Sequence, residues 1–221
     1  MAFSEERINS RIYVVVAVFI IIVVILAIFL SSNQLVSAKI QDEALGNSWI
    51  EDIGGRDSGS GFLGLDKWAS FTYKNNNLSY SAYVTVTTFK TLFIMSEMEL
   101  KNKMEETIKN SFAQGVTIDL DSKITGERTL SNGHKSLYSI YDGNYSFNEK
   151  NEKIKIIGET WNCGVSGTSI VCFGYAQITN NTYSKLLIDL TYWIKILKDK
   201  DGTFGLDYNG TDGLLYNVIC H

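Results

Sequence analysis

The residues of this chain best suited to chemistry are three cysteines, Cys163, Cys172 and Cys220, and two histidines, His134 and His221. Cys163 and Cys172 flank GVSGTSIV, which reads as a hairpin loop. Pairing them directly sets Trp161 opposite Gly174 and Ile157 opposite Ile178 on one face, a register consistent with the two-residue repeat of a strand. A Cys163–Cys172 disulfide closes ten residues and stabilises by about 2.7 kcal/mol in the chain-entropy account. The rival bridge, Cys163 to Cys220, closes about 58 residues and contributes about 4 kcal/mol. A Cys172–Cys220 bridge and no bridge at all complete the possibilities. With the hairpin bridge formed, Cys220 is left over, either buried or paired between chains. A second chemistry is open to the same residue types. Cys220, His221 and His134 could make a soft nitrogen–sulfur site for copper or zinc, although their spacing matches no zinc pattern. The plainer reading places His134 in the turn SNGHK, with no metal and no cofactor.

Other chemistry is thinly supplied. Ser58 lies in RDSG within a glycine-rich stretch, with His134 as its candidate base, and no GxSxG turn occurs. The GVSGTS loop lacks the lysine of a phosphate loop. The run at 199–202 opens like a calcium loop but has Gly210 where the twelfth-position glutamate belongs. Glu127, Glu159, Asp119 and Asp121 fall on or beside strands, read as solvent-facing, and form no acid–base pair. A non-catalytic protein is expected. The net charge of −4 argues against nucleic acid as a partner. Four N-x-S/T sequons, at Asn77, Asn144, Asn180 and Asn209, fall in turns or loops and are candidate glycosylation sites. Most of the aromatic residues, Tyr83, Tyr138 and Tyr141 among them, are expected in the core.

The elements that must position these groups are legible from Trp68 onward. Residues 68–74 and 78–93 are rich in aromatic and β-branched types and read as a hairpin. In SEMELKNKMEETIKNSFAQG, Ser96 and Glu99 make a capping box, and Leu100, Met104, Ile108 and Phe112 recur every fourth residue before Gly115, as on one stripe of a helix. Strands are expected at 116–120, 123–130, 136–141, 153–161 and 169–179, with turns at 131–133 and 142–144. A second helix is expected over 183–198 and a closing strand over 213–220. Hairpin-length connections dictate antiparallel pairing, and two amphipathic helices need a sheet to bury on, so the fold class is α+β: an antiparallel sheet with two amphipathic helices packed on it.

The order of elements over about Trp68 to Lys198 resembles the PsbP/Mog1-like α/β sandwich, most closely in Thr125–Leu130, the turn SNGHK and Ser136–Tyr141. That resemblance implies a hairpin, a helix, an antiparallel meander and a final helix, and favours a binding or assembly role. It matches no functional motif and assigns no functional residue.

The compartment is expected from the first thirty residues. Ile12 to Leu30 is nineteen residues without charge, glycine or proline, about 28 Å as a helix, which predicts a transmembrane signal anchor. Arg7 and Arg11 precede it and Lys39 is the first basic residue after it, so the N-terminus is expected in the cytoplasm and the bulk outside a cell membrane. The expected domains are a cytoplasmic segment 1–11, the single-pass span 12–30, a juxtamembrane helix and glycine-rich tether 31–66, and an extracytoplasmic α+β domain 67–221. On this reading the protein is an anchored binding or structural module with the bilayer and a membrane or envelope protein as partners. The alternatives are a Cys/His metal- or redox-active extracytoplasmic protein and a surface filament subunit.

Overall fold

In the computed structural model the described residues are 13, 15–24, 34–61, 66–76, 82–110, 115–147, 150–180, 188–189, 191–197 and 213–221. The chain divides into two units, residues 1–34 and 35–221.

The first unit corrects the expectation of a membrane anchor. Helix is described there at Tyr13 and residues 15–24. Among the described residues no helix is long and apolar enough to cross a membrane. The single-pass anchor, the bilayer as partner, the placement in a cell membrane with extracytoplasmic bulk, and the anchored module all rested on that span and are withdrawn with it.

The second unit is a mixed α/β fold in which helices pack on an antiparallel sheet. Its elements begin with β1 (Lys39–Ile40), a single helical turn α1 (Asp42–Leu45), β2 (Trp49–Ser60), β3 (Lys67–Asn75), β4 (Ala82–Lys90) and α2 (Glu97–Asn110). Then follow β5 (Val116–Thr129), β6 (Lys135–Phe147), β7 (Lys150–Cys163), β8 (Thr168–Gln177), β9 (Thr179–Asn180), β10 (Ile188–Asp189), α3 (Thr191–Leu197) and β11 (Val218–Ile219). Seven strands form the main sheet in the order β2-β3-β4-β8-β7-β6-β5, every neighbour antiparallel. Two small pairings, β1 with β11 and β9 with β10, stand apart from it.

Side-chain alternation sends each central strand into two cores. Ile154 and Ile156 of β7 and Val171, Phe173 and Tyr175 of β8 meet Leu100, Met104 and Ile108 of α2. The capping box starts that helix: Glu99 Oε2 accepts from the Ser96 backbone N–H at 2.7 Å, and the Ser96 hydroxyl accepts from the Glu99 N–H at 3.3 Å. Gly158 lets the helix lie close, because a Cβ there would stand 2.6 Å from Met104 Cγ. On the opposite face Ile157, Trp161, Cys163, Ile170 and Cys172 pack with Trp193, Ile196 and Leu197 of α3 and with Leu214, Leu215, Val218 and Cys220.

Several local expectations change. The stretch read as a tether contains β2, an edge strand of the sheet. The turn expected at 142–144 is uninterrupted β6, where a Cβ on Gly143 would meet the Thr117 carbonyl at 2.7 Å. Glycine serves close backbone approach there, not a turn. The strands expected at 116–120 and 123–130 are one strand, β5, with a register irregularity between Asp119 and Ile124. Phe112, residues 183–187 and the run 199–202 lie outside the described residues.

Candidate metal centre

The site forms where three parts of the second unit meet at one end of the sheet. Cys163 is the last residue of β7. His134 follows the turn between β5 and β6, in which Gly133 takes φ +79° and donates its N–H to the Leu130 carbonyl at 2.9 Å. Cys220 and His221 follow β11, which is held to β1 by the register Lys39↔Ile219 and Ile40↔Val218. The His134 turn is fastened to the same segment. The Ser131 hydroxyl donates to the Tyr216 carbonyl at 2.7 Å, and Asn132 Nδ2 donates to the Val218 carbonyl at 2.9 Å. Asn132 Oδ1 also accepts the His134 backbone N–H at 3.0 Å, which fixes where the imidazole starts.

The result is a cluster of two thiols and two imidazoles: His134, Cys163, Cys220 and His221 each offer one donor atom, and the four lie within 4.8 Å of one another. Cys163 Sγ is 3.5 Å and Cys220 Sγ 3.6 Å from the same His221 Nδ1. Cys163 Sγ also lies 3.6 Å from the Cys220 carbonyl oxygen. The two imidazole rings meet edge to face with centroids 5.7 Å apart. Both cysteines are buried, His134 is half-buried and His221 exposed. Among the buried polar atoms without a hydrogen-bond partner is His134 Nε2. A buried nitrogen in that state is costly, and a cation is one of the few groups that offsets the cost next to two sulfurs.

The electrostatics of the two thiols differ. Burial resists ionisation of Cys163, but hydrogen bonds from Cys220, from the Ser166 hydroxyl and backbone N–H, and from His221 outweigh it and hold the thiol below its ordinary range. Burial pushes Cys220 up, and the neighbouring Cys163 pushes it further, against a smaller opposing pull from Trp161. One proton leaves the pair readily and the second is retained, as two closely spaced sulfurs require. A cation between them favours loss of both.

The structure gathers the three residues that the sequence named as a metal set, His134, Cys220 and His221, together with Cys163, which the sequence offered as a bridge partner and in the broader Cys/His metal- or redox-active reading. Cys163 and Cys220 are neighbours. The register expected for a Cys163–Cys172 bridge is not the observed one. Cys163 stands opposite Thr168 and Cys172 opposite Glu159, with Trp161 opposite Ile170 and Ile157 opposite Gly174. Four strand positions separate the two cysteines, ~13 Å, against a Cα separation below ~7 Å for a disulfide. All three cysteines are free thiols. Burial and the facing Glu159 push the Cys172 thiol well above its ordinary range, so it is inert core.

The remaining candidates disperse. Ser58 lies in β2 opposite Ala69, at the edge of the sheet far from the β5 edge that carries the His134 turn. Glu159, expected toward solvent, is fully buried and accepts from Arg128 Nε at 2.7 Å, Arg128 Nη2 at 2.5 Å and the Ser136 hydroxyl at 2.6 Å. Asn144 is exposed on β6 and Asn180 lies in β9, while Asn77 and Asn209 are outside the described residues. Their reading as sugar acceptors rested on the withdrawn extracytoplasmic placement. Clefts of about 500 and 260 Å³, on either side of the start of α2, have no histidine or cysteine among their lining residues.

Compared with known families, with curated proteins and with solved structures, the chain matches none.

Proposed function

We propose that this domain binds one zinc ion through Cys163, Cys220, His134 and His221, and that the ion ties residues 213–221 to the end of the sheet. The observation that carries this is the size of the cluster. Zinc holds thiolate sulfur at about 2.3 Å and imidazole nitrogen at about 2.0–2.1 Å in a tetrahedron, so a sulfur–nitrogen edge is about 3.5 Å. The two sulfur–nitrogen separations at His221 are 3.5 and 3.6 Å. Two thiols and two imidazoles favour zinc over magnesium or calcium, which take oxygen ligands. Four protein ligands leave no position for water or substrate, so the role is structural and non-catalytic.

The PsbP/Mog1-like resemblance is part of this proposal only as a reading of element order. Its support is the succession of hairpin, helix, antiparallel meander and helix.

Equilibrium dialysis under reducing conditions tests the function. The full chain is expected to retain one zinc ion and to ignore calcium and magnesium. Cys163→Ser and Cys220→Ser are expected to abolish retention, and His134→Ala to weaken it. Circular dichroism of each variant separates loss of the site from loss of the fold. Zinc retained undiminished by Cys163→Ser, or not retained by the folded parent chain, contradicts the assignment.

A further inference from the structure

We infer that the zinc site is also a peroxide-sensitive switch: oxidation joins Cys163 to Cys220 and expels the ion. The inference rests on the zinc reading of the cluster. Its own support is the arrangement of the sulfurs. Both contact one His221 nitrogen, and all four donors fall within 4.8 Å. The gap to a sulfur–sulfur bond of ~2.05 Å is therefore less than ~3 Å.

The two sides of the pair are held differently. Cys163 ends a fourteen-residue strand flanked by neighbours in the main sheet. Cys220 follows a two-residue strand that, among the described residues, pairs with another of two residues. Cys220 is thus the sulfur that moves. Both sulfurs are buried, so peroxide reaches them when the segment that carries Cys220, held by a two-residue ladder, opens.

The chemistry balances as follows. One zinc-bound thiolate attacks the peroxide O–O bond, a sulfur–oxygen bond forms, and hydroxide leaves and takes a proton to become water. The resulting sulfenic acid is attacked by the second thiolate. The S–S bond forms, the S–O bond breaks, and the leaving hydroxide takes a second proton. Two thiolates lose two electrons, hydrogen peroxide and two protons become two waters, and zinc departs because a disulfide is a poor ligand for it. Cys172 takes no part, being enclosed in the core and ~13 Å along the strands from Cys163.

The test is a titration of the full, zinc-loaded chain with hydrogen peroxide. Released zinc is read with a chromogenic chelator, and the cysteines are mapped by mass spectrometry of a non-reducing digest. The expected result is one zinc released per Cys163–Cys220 cross-link, with Cys172 still a thiol and zinc regained after treatment with a thiol reductant. Cys172→Ala is expected to behave as the parent does. Zinc release with sulfinic acids and no cross-link, or a cross-link through Cys172, overturns the switch. A chain that binds zinc and forms no cross-link overturns the switch alone, whereas a chain that takes up no zinc overturns the site and the switch together.

Discussion

The two faces of the main sheet are closed by different physics. The face under α2 is closed by apolar contact. Leu100, Met104 and Ile108 lie on Ile154, Ile156, Val171 and Phe173, and burying each of those three helix side chains contributes about 1.5–3 kcal/mol. The opposite face has an apolar centre too, but it also carries the buried Arg128–Glu159–Ser136 group and ends in two thiols and two imidazoles under a two-residue strand. A helix that buries a full stripe needs no ligand. The segment 213–221 is held by a two-residue ladder, a few turn hydrogen bonds and the buried Leu214, Leu215 and Val218, and the donor set at its end is of the kind that binds a metal ion.

Four perturbations sharpen or break this contrast. The largest effect is expected at the ion pair. Arg128→Met leaves Glu159 as an uncompensated buried carboxylate and lowers stability by about 3–5 kcal/mol in urea denaturation. A loss below about 1 kcal/mol places water around that carboxylate and removes the polar character assigned to this face. Next, Met104→Ala opens a cavity under α2 worth about 2–5 kcal/mol, equal with and without zinc because Met104 packs in a cluster that holds none of the four donor residues. A zinc-dependent cost couples the faces and breaks the comparison.

Third, with free zinc about 100-fold above its Kd, the parent chain gains about 3 kcal/mol over the chelated form. Cys163→Ser is expected to erase the gain, and thermal denaturation with and without chelator reads it. The smallest effect is at the start of α2. Ser96→Ala removes the reciprocal cap and costs about 1 kcal/mol, again independent of metal.

The helix-covered face could be read from the sequence because its signals are local. A four-residue apolar period and a capping box fall within one segment, and the hairpin before it alternates cleanly. The metal face could be read only in its parts. His134 and Cys220 are far apart in the chain, and what joins them is the packing of the Ser131–Asn132 turn against Tyr216 and Val218, which no spacing encodes. Cys163 was misplaced by the hairpin, whose turn is the four residues 164–167 rather than the eight between the cysteines. β2 was missed because its glycines suggest a tether. Two of them sit instead where a Cβ would collide, Gly55 with Thr72 at 2.9 Å and Gly59 with Trp68 at 2.6 Å, so they are the requirement of a tightly packed edge strand. The apolar run from Ile12 to Leu30 satisfied a hydropathy rule over a length for which no matching helix is described.

The most direct test of the metal centre is X-ray absorption at the zinc edge of the reduced, zinc-loaded chain. The expected spectrum fits two sulfur scatterers at about 2.3 Å and two nitrogen scatterers at about 2.0–2.1 Å, and loses one sulfur in Cys220→Ser. A shell of oxygen and nitrogen alone, unchanged by that substitution, contradicts the assignment.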